Sequence, residues 1–252
     1  MHFTVKLADL LIEIDSQFEY LQRYCKDYCI EEVSATELKP DFSISLSMEE
    51  IEAERNHEDV TAFSSPYLET LAALRKICEQ MAFYNRILCH GAVISYAKND
   101  AYMFTAPSGT GKSTHINLWR KYLGEAVEVV NGDKPLIKIE DASATIYGTP
   151  WAGKEGWQKN TAVTLKGICI IERGTTNEIV KVNPMEQLIR LMHQVHVPNG
   201  AEAAGKTLEL FSKLFELVPL YVIKCDMSED AVRASFEAMT GLDYDACKVI
   251  RG

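Results

Sequence analysis

Residues 106–114 read Ala-Pro-Ser-Gly-Thr-Gly-Lys-Ser-Thr, a run whose residue types can hold a chain of phosphates. Gly109 and Gly111 let the backbone turn so that its N–H groups face phosphate oxygens, where a Cβ is expected to intrude. Lys112 supplies a mobile cation for the outer phosphates, and the Ser113 hydroxyl is a ligand for magnesium. Ser108, Thr110 and Thr114 complete the expected nucleotide-binding set. The pattern is that of a P-loop, GxxxxGK[ST], except that Ala106 stands at the first glycine. Its context agrees: an apolar run over 101–105 predicts a strand before the loop. A helix is expected after it, over about 112–123, with its positive end toward the same phosphates.

A phosphate loop needs a metal-gripping carboxylate. Asp133, in the turn of "VEVVNGDKPLI", follows a strand-like run roughly twenty residues beyond the loop and is the candidate to hold magnesium with Ser113. "GICIIE" (167–172) imitates the acid-terminated strand of an ordinary P-loop ATPase, yet Glu172 reads better as a solvated strand end. "NGDK" (131–134) does not supply a guanine-reading motif, so ATP, GTP and pyrophosphate all stand as donors. The loop "GTPWAGK" (148–154) either closes on an acceptor with Trp151 and Lys154 or is a tight turn with a buried Trp. Arg173, at a strand end, is a weaker candidate for a phosphate contact. His115 on the helix after the loop is expected to pack. His193 and His196, three apart on an expected helix, lack the further ligands of a metal site.

The elements that must position these residues divide at about residue 86. In 1–86, "FTVKLADLLIEI" (3–14) and "DFSISLS" (41–47) alternate like strands. Ser47 with Glu50 forms a capping-box pattern, and the polar stretch 56–66 reads as a linker or mobile loop. A helix over 67–85 presents Leu68, Leu71, Leu74, Ile77, Cys78 and Met81 as one core stripe. From residue 87 to 252 short β-type runs (87–97, 101–106, 126–130, 135–139, 144–148) surround a longer central strand, 161–172, with a hairpin through 98–100. Helices over 183–195 and 203–218, a strand over 220–226 and a helix N-capped by Ser228 finish the chain. The expected fold class is α/β, a mixed-sheet core with a smaller N-terminal α+β portion.

Bulk properties narrow the partners. The 252 residues are 47% hydrophobic and 25% charged, with a net charge of −10, which argues against nucleic acid or anionic membrane as a main partner. The seven cysteines are scattered, with one close pair, Cys25 and Cys29, that lacks the companions of a zinc site. The N-terminal residues fit neither a signal peptide nor a spanning helix. A cytoplasmic protein is expected.

Taken together, "LCHGAVISYAKNDAYMFTAPSGTGKSTHINLW", "VVNGDKPLIKI" and "YGTPWAGKEG" resemble the HPr kinase/phosphorylase and phosphoenolpyruvate carboxykinase superfamily, most nearly its HPr-kinase-related proteins. The resemblance covers residues 86–175 strongly and the helical tail more loosely. It implies a P-loop core of that type, and it places His90-Gly91 at the family's His-Gly pair, with His90 as base or as the group orienting Asp133. Catalysis would then rest on Lys112, Asp133 and His90. It departs in three ways: Gly132 replaces the first acid of the acidic turn, "TPWAGKEG" replaces the glutamate-arginine-glycine segment, and the N-terminal portion differs. What carries over is the fold and the nucleotide chemistry. The implied function is an ATP- and magnesium-dependent kinase acting on a hydroxyl of a small metabolite or of a peptide or protein Ser. A homo-oligomer accords with the family. The alternative is a non-catalytic nucleotide-binding accessory protein, for example in peptide modification. A carboxykinase fits less well, for want of chain to bind an oxoacid.

Overall fold

The computed structural model describes residues 1–30, 39–56 and 62–249. They form two compact units: Met1–Tyr84 with Val197–Thr207, and Asn85–His196 with the chain from Leu208 onward.

In the first unit the alternating run 3–14 is not one strand but a hairpin. Ala8 and Asp9, at φ +49° and +64°, turn the chain between β1 (His2–Leu7) and β2 (Leu10–Asp15). β2 pairs in parallel with β3 (Phe42–Ser45). Phe3, Val5, Leu7, Ile12 and Ile14 are buried, as a half-covered sheet requires. Helix α1 (Glu19–Tyr24) precedes β3, and α2 (Met48–Ala53) follows it. Ser47 Oγ accepts from Glu50 N at 3.2 Å while Glu50 accepts from Ser47 N at 2.9 Å, which is the expected capping box. Helix α3 (Ser65–Met81) starts earlier than expected, because Pro66 sits in the first turn, where a missing N–H costs nothing, and it ends earlier, giving way to a 3-10 turn over Ala82–Tyr84. Leu68, Leu74, Ile77, Cys78 and Met81 are buried, and Leu71 is half-buried. Within the linker expected over 56–66, residues 57–61 lie outside the described residues.

The second unit is built on a nine-stranded mixed sheet. Its strands are β4 (Arg86–Leu88), β5 (Ala92–Tyr96), β6 (Asp100–Thr105), β7 (Val127–Asn131), β8 (Leu136–Ile139), β9 (Ala144–Tyr147), β10 (Ala162–Arg173), β11 (Glu178–Val182) and β12 (Leu220–Cys225). β10 is central, parallel to β6 and to β12 and antiparallel to β9 at its start. The expected hairpin is present: Ala97 and Lys98, at φ +51° and +64°, join β5 to β6. Helix α4 (Lys112–Leu123) links β6 to β7; α5 (Leu188–Met192), α7 (Glu229–Thr240) and α8 (Tyr244–Cys247) come later in the chain, as does α6 (Ala201–Leu217), of which only the part from Leu208 belongs to this unit. On one face, α4 and α7 bury Ile116, Trp119, Val232 and Phe236 against Phe104, Cys169, Ile171 and Ile223.

Three expectations need correction. β11 was not anticipated, since the exposed charged residues that suit a sheet edge dilute its alternation. The helix expected over 183–195 is a 3-10 turn, Pro184–Gln187, followed by the short α5. The chain then extends, with Val195 bridging Cys89, so His193 and His196 share no helix. Ser228 stands at the N-cap of α7, but its hydroxyl makes no cap bond and accepts instead from Asn177 Nδ2.

Candidate functional site

Strand directions bring the chemistry-bearing residues to one end of the second unit's sheet. β5 pairs antiparallel with both β6 and β7, so β6 and β7 run parallel with β5 between them. The C-terminal ends of β6 and β7 therefore lie level with the N-terminal end of β5. Ala92 pairs with Phe104 and Val93 with Asn131. Residues just beyond those pairs are His90-Gly91, the loop after Thr105, and the turn Gly132-Asp133.

The loop is a strand–turn–helix connection. Gly109 and Gly111 have φ of +75° and +126°, and Gly111 is the N-cap of α4. The expectation that a Cβ there would intrude is corrected in its reason: an added Cβ meets no protein atom within 4 Å at either position. What requires glycine is the backbone angle, which other residues adopt only with strain. Thr110 N donates to Pro107 O at 3.2 Å. The amides of Gly109, Gly111, Lys112 and Ser113 have no acceptor among the described residues. Lys112 is buried, and its ammonium donates to Ala106 O at 2.8 Å. Burial pushes its pKa down, against the attraction of the Asp133 and Glu155 carboxylates. Ser108 is exposed, Thr114 is exposed on the first turn of α4, and Ser113 is half-buried beside Lys112.

Asp133 is fixed by a buried polar network. Asn131, fully buried, accepts from Asp133 N at 2.9 Å and from Lys134 N at 2.8 Å through Oδ1. Its Nδ2 donates to Thr149 O at 3.0 Å, and Thr149 Oγ1 donates to Lys134 O at 2.7 Å. His90 Nε2 lies 3.1 Å from Asp133 Oδ1. Burial pushes the Asp133 pKa up, but the His90 hydrogen bond and the charges of Lys134 and Lys112 outweigh it and hold the carboxyl below its ordinary value. The ionised carboxylate only accepts, so His90 Nε2 carries the proton it shares. Gly91 N donates to Asp133 O at 2.8 Å, His90 N donates to Gln194 O at 2.6 Å, and Thr105 Oγ1 donates to His90 O at 2.8 Å. The His-Gly pair and the acidic turn are thus stitched to each other and to the strand that feeds the loop.

Asn131, Thr149, Thr105 and Gln194 were not singled out from sequence. Asn before Gly at 131–132 is the turn signal by which the first of them could have been found. The other three are recognisable only once the strands are paired.

The loop 148–159 lies against Asp133, with Trp151 buried and Lys154 exposed. A Cβ on Gly153 would stand 3.0 Å from Asp133 Cβ. Arg173 is placed at the phosphate loop, but on its carbonyls: Nη2 donates to Gly109 O and Nε to Thr110 O, the latter at 3.3 Å. Glu172 pairs with Arg190 at 2.6 Å. His115 packs in the core: Trp119 Nε1 donates to Ser235 Oγ at 2.9 Å, and His115 Nε2 lies 3.0 Å from the same oxygen. Burial pushes the His115 pKa down to about 4, so the ring stays neutral.

The described residues contain no group of three or more His, Cys, Asp or Glu placed to hold a metal ion. No helix among them is long and apolar enough to cross a membrane. No protein-family model and no curated protein matches the chain. Among solved structures, the fold is similar to that of the HPr(Ser) kinase/phosphatase from Coxiella burnetii, at 12% identity and a TM-score of 0.34. The match covers 63% of this chain and 94% of that one. The likeness is distant and at the level of fold.

Proposed function

We propose that the chain is a phosphotransferase that takes an oligophosphate donor, ATP with magnesium, in the loop 106–114. It passes a phosphoryl group to a hydroxyl of a small molecule or of a peptide or protein Ser seated against Asp133. The carrying observation is that unpartnered loop amides and Lys112 share one end of a sheet with a His90-held, ionised Asp133.

Phosphoryl transfer asks a protein mainly to position groups and to neutralise charge. The amides of Gly109, Gly111, Lys112 and Ser113 and the Lys112 ammonium do this for the donor's outer phosphates. Ser113 and Asp133 would hold magnesium, hard oxygen donors of the kind that ion takes beside phosphates and water, and it would supply further charge neutralisation. Where magnesium rests mainly on Ser113, water and phosphates, Asp133 Oδ2 accepts the acceptor's hydroxyl proton. The oxygen–phosphorus bond forms as the bond to the leaving phosphate oxygen breaks, and the proton goes to the carboxylate. A carboxylate with a depressed pKa is a weak base, which suits a transfer in which the proton moves late. His90 then acts by orienting Oδ1.

γ-Labelled ATP, magnesium and a panel of acceptors, including cell extract, test this. Labelled product is expected from the wild type and none from Lys112→Ala. Nucleotide binding by Lys112→Ala as tight as by wild type would refute the proposal. Tight ATP binding with no product across the panel would leave a nucleotide-binding accessory protein instead.

A further inference from the structure

A cleft of about 520 Å³ opens beside the phosphate loop, on the face of the sheet covered by α4 and α7. Gly109, Thr110 and Gly111 form one wall, and Thr114 and Leu118 continue it along α4. The opposite wall comes from the C-terminal ends of the parallel strands β10 and β12: Ile171, Cys225 and, just beyond, Met227. Clefts outside the carboxyl ends of parallel strands are where such sheets take ligands, and this volume lies in the usual range for small-molecule sites, roughly 300–1,000 Å³. None of His90, Asp133, Trp151 or Gly153 lines it. The loop therefore has two flanks, one facing the Asp133 turn and the other facing this cleft.

The cleft's chemistry is that of a slot with committed edges. Leu118, Ile171, Cys225 and Met227 offer apolar surface, and Met227 is 75% exposed at the mouth. The charged side chains of the rim are already engaged, while the Thr110 and Thr114 hydroxyls beside the loop make no bond among the described residues. Glu172 pairs with Arg190, Arg173 donates to loop carbonyls, and Asp226 Oδ1 accepts from Ser228 N at 2.8 Å. His115, another lining residue, has its Nε2 against Ser235. A flat heterocycle joined to phosphates on the loop meets walls that contact its faces and no uncommitted charged side chain at its edge.

We propose that this cleft receives the base and ribose of a nucleoside triphosphate whose phosphates occupy the loop, and that it reads the base by shape and apolar contact rather than by edge hydrogen bonds. The inference rests on the phosphate-loop reading above. It sets the donor's direction, with the nucleoside over Thr114 and Leu118 and the terminal phosphate toward Asp133, so the acceptor enters from the side of loop 148–159.

The test titrates the full chain, with magnesium, against inorganic tripolyphosphate, ATP and GTP. ATP is expected to bind about tenfold or more tighter than tripolyphosphate, and GTP within about tenfold of ATP. In Met227→Ala the advantage of ATP over tripolyphosphate should shrink several-fold while tripolyphosphate binding holds. Photolabelling of the wild type with 8-azido-ATP should mark the tryptic peptides Ser113–Arg120 or Cys225–Arg233. Equal binding of tripolyphosphate and ATP overturns the cleft while leaving the loop reading intact. So does label confined to Ile139–Lys154 or Glu155–Lys159. A hundredfold preference between ATP and GTP overturns reading by shape. Binding of none of the three removes the loop reading and the cleft with it.

Discussion

Three glycine-to-alanine substitutions separate backbone strain from steric fit. At Gly111 the φ of +126° lies well beyond the left-handed well near +57°, and an added methyl meets no protein atom within 4 Å. The whole cost is conformational, on the order of 2–3 kcal/mol. Gly109, at φ +75°, is nearer that well, so alanine there costs about 1–2 kcal/mol. Gly205 is exposed within α6, and alanine there should stabilise by about 1 kcal/mol through helix propensity. Urea denaturation followed by circular dichroism reads the three values, and calorimetric titration with magnesium-ATP reads the second consequence. If the loop of Gly111→Ala keeps its shape, the strain appears as lost stability. If it relaxes, stability recovers, but the amides of residues 111–113 turn away and ATP binding falls at least about tenfold, since the strain then reappears as 1.4 kcal/mol or more of binding. One loss or the other must be seen. Gly111→Ala that matched wild type in both stability and affinity would refute the reasoning from loop geometry to phosphate binding.

Further outcomes follow from the same geometry. Asp133→Asn keeps an acceptor for His90 but removes the charge facing Lys112. Product formation should fall at least about a hundredfold in the labelled-ATP assay, as for loss of a positioned acid–base group, with folding by circular dichroism unchanged. Asn131→Ala deletes a buried side chain with acceptor and donor bonds to three residues, and should cost about 2–3 kcal/mol in urea titration and lower the rate with it. His115 has a folded-state pKa near 4, below its ordinary 6.5, so the unfolded chain binds more protons between those values. Stability is then full above pH 6.5 and declines as pH falls toward 4, by about 3 kcal/mol in total. His115→Gln should remove most of that slope in pH-dependent melts.

The phosphate loop was legible because its demands are local. Gly-x-Gly-Lys-Ser after an apolar run and before an amphipathic one specifies the turn, the cation and the helix start, and α4 begins at Lys112 as expected. The long central strand and the 98–100 hairpin were legible for the same reason. Less was readable where partners are distant in sequence. Asp133 stood out as an acid in a turn, but its alignment depends on Thr149, and His90 is anchored by Gln194, over a hundred residues away. The hairpin Ala8-Asp9 was hidden because it lacks the glycine or asparagine that marks such turns most strongly, and β11 because Glu178 and Lys181 interrupt its three β-branched residues. The return of Val197–Thr207 to the first unit has no compositional marker at all.

The loop 148–159 is closed at its neck. Gly148 N donates to Thr161 O, Lys159 N to Val130 O, and Gly132 N to Trp157 O. A Cβ at Gly148 would collide with Lys159 O and Val130 O, so nothing larger than glycine lets the two ends meet. Beyond this neck, Gly153 and Gly156 bracket an exposed Lys154-Glu155 tip. Residues can be inserted between 154 and 155 without loosening the hydrogen bonds that tie the neck to the Asp133 turn. Whatever molecule approaches Asp133 from that side could thus be exchanged for another by recutting the tip alone, which makes it the natural place to graft a new choice of acceptor onto an unaltered phosphate cradle.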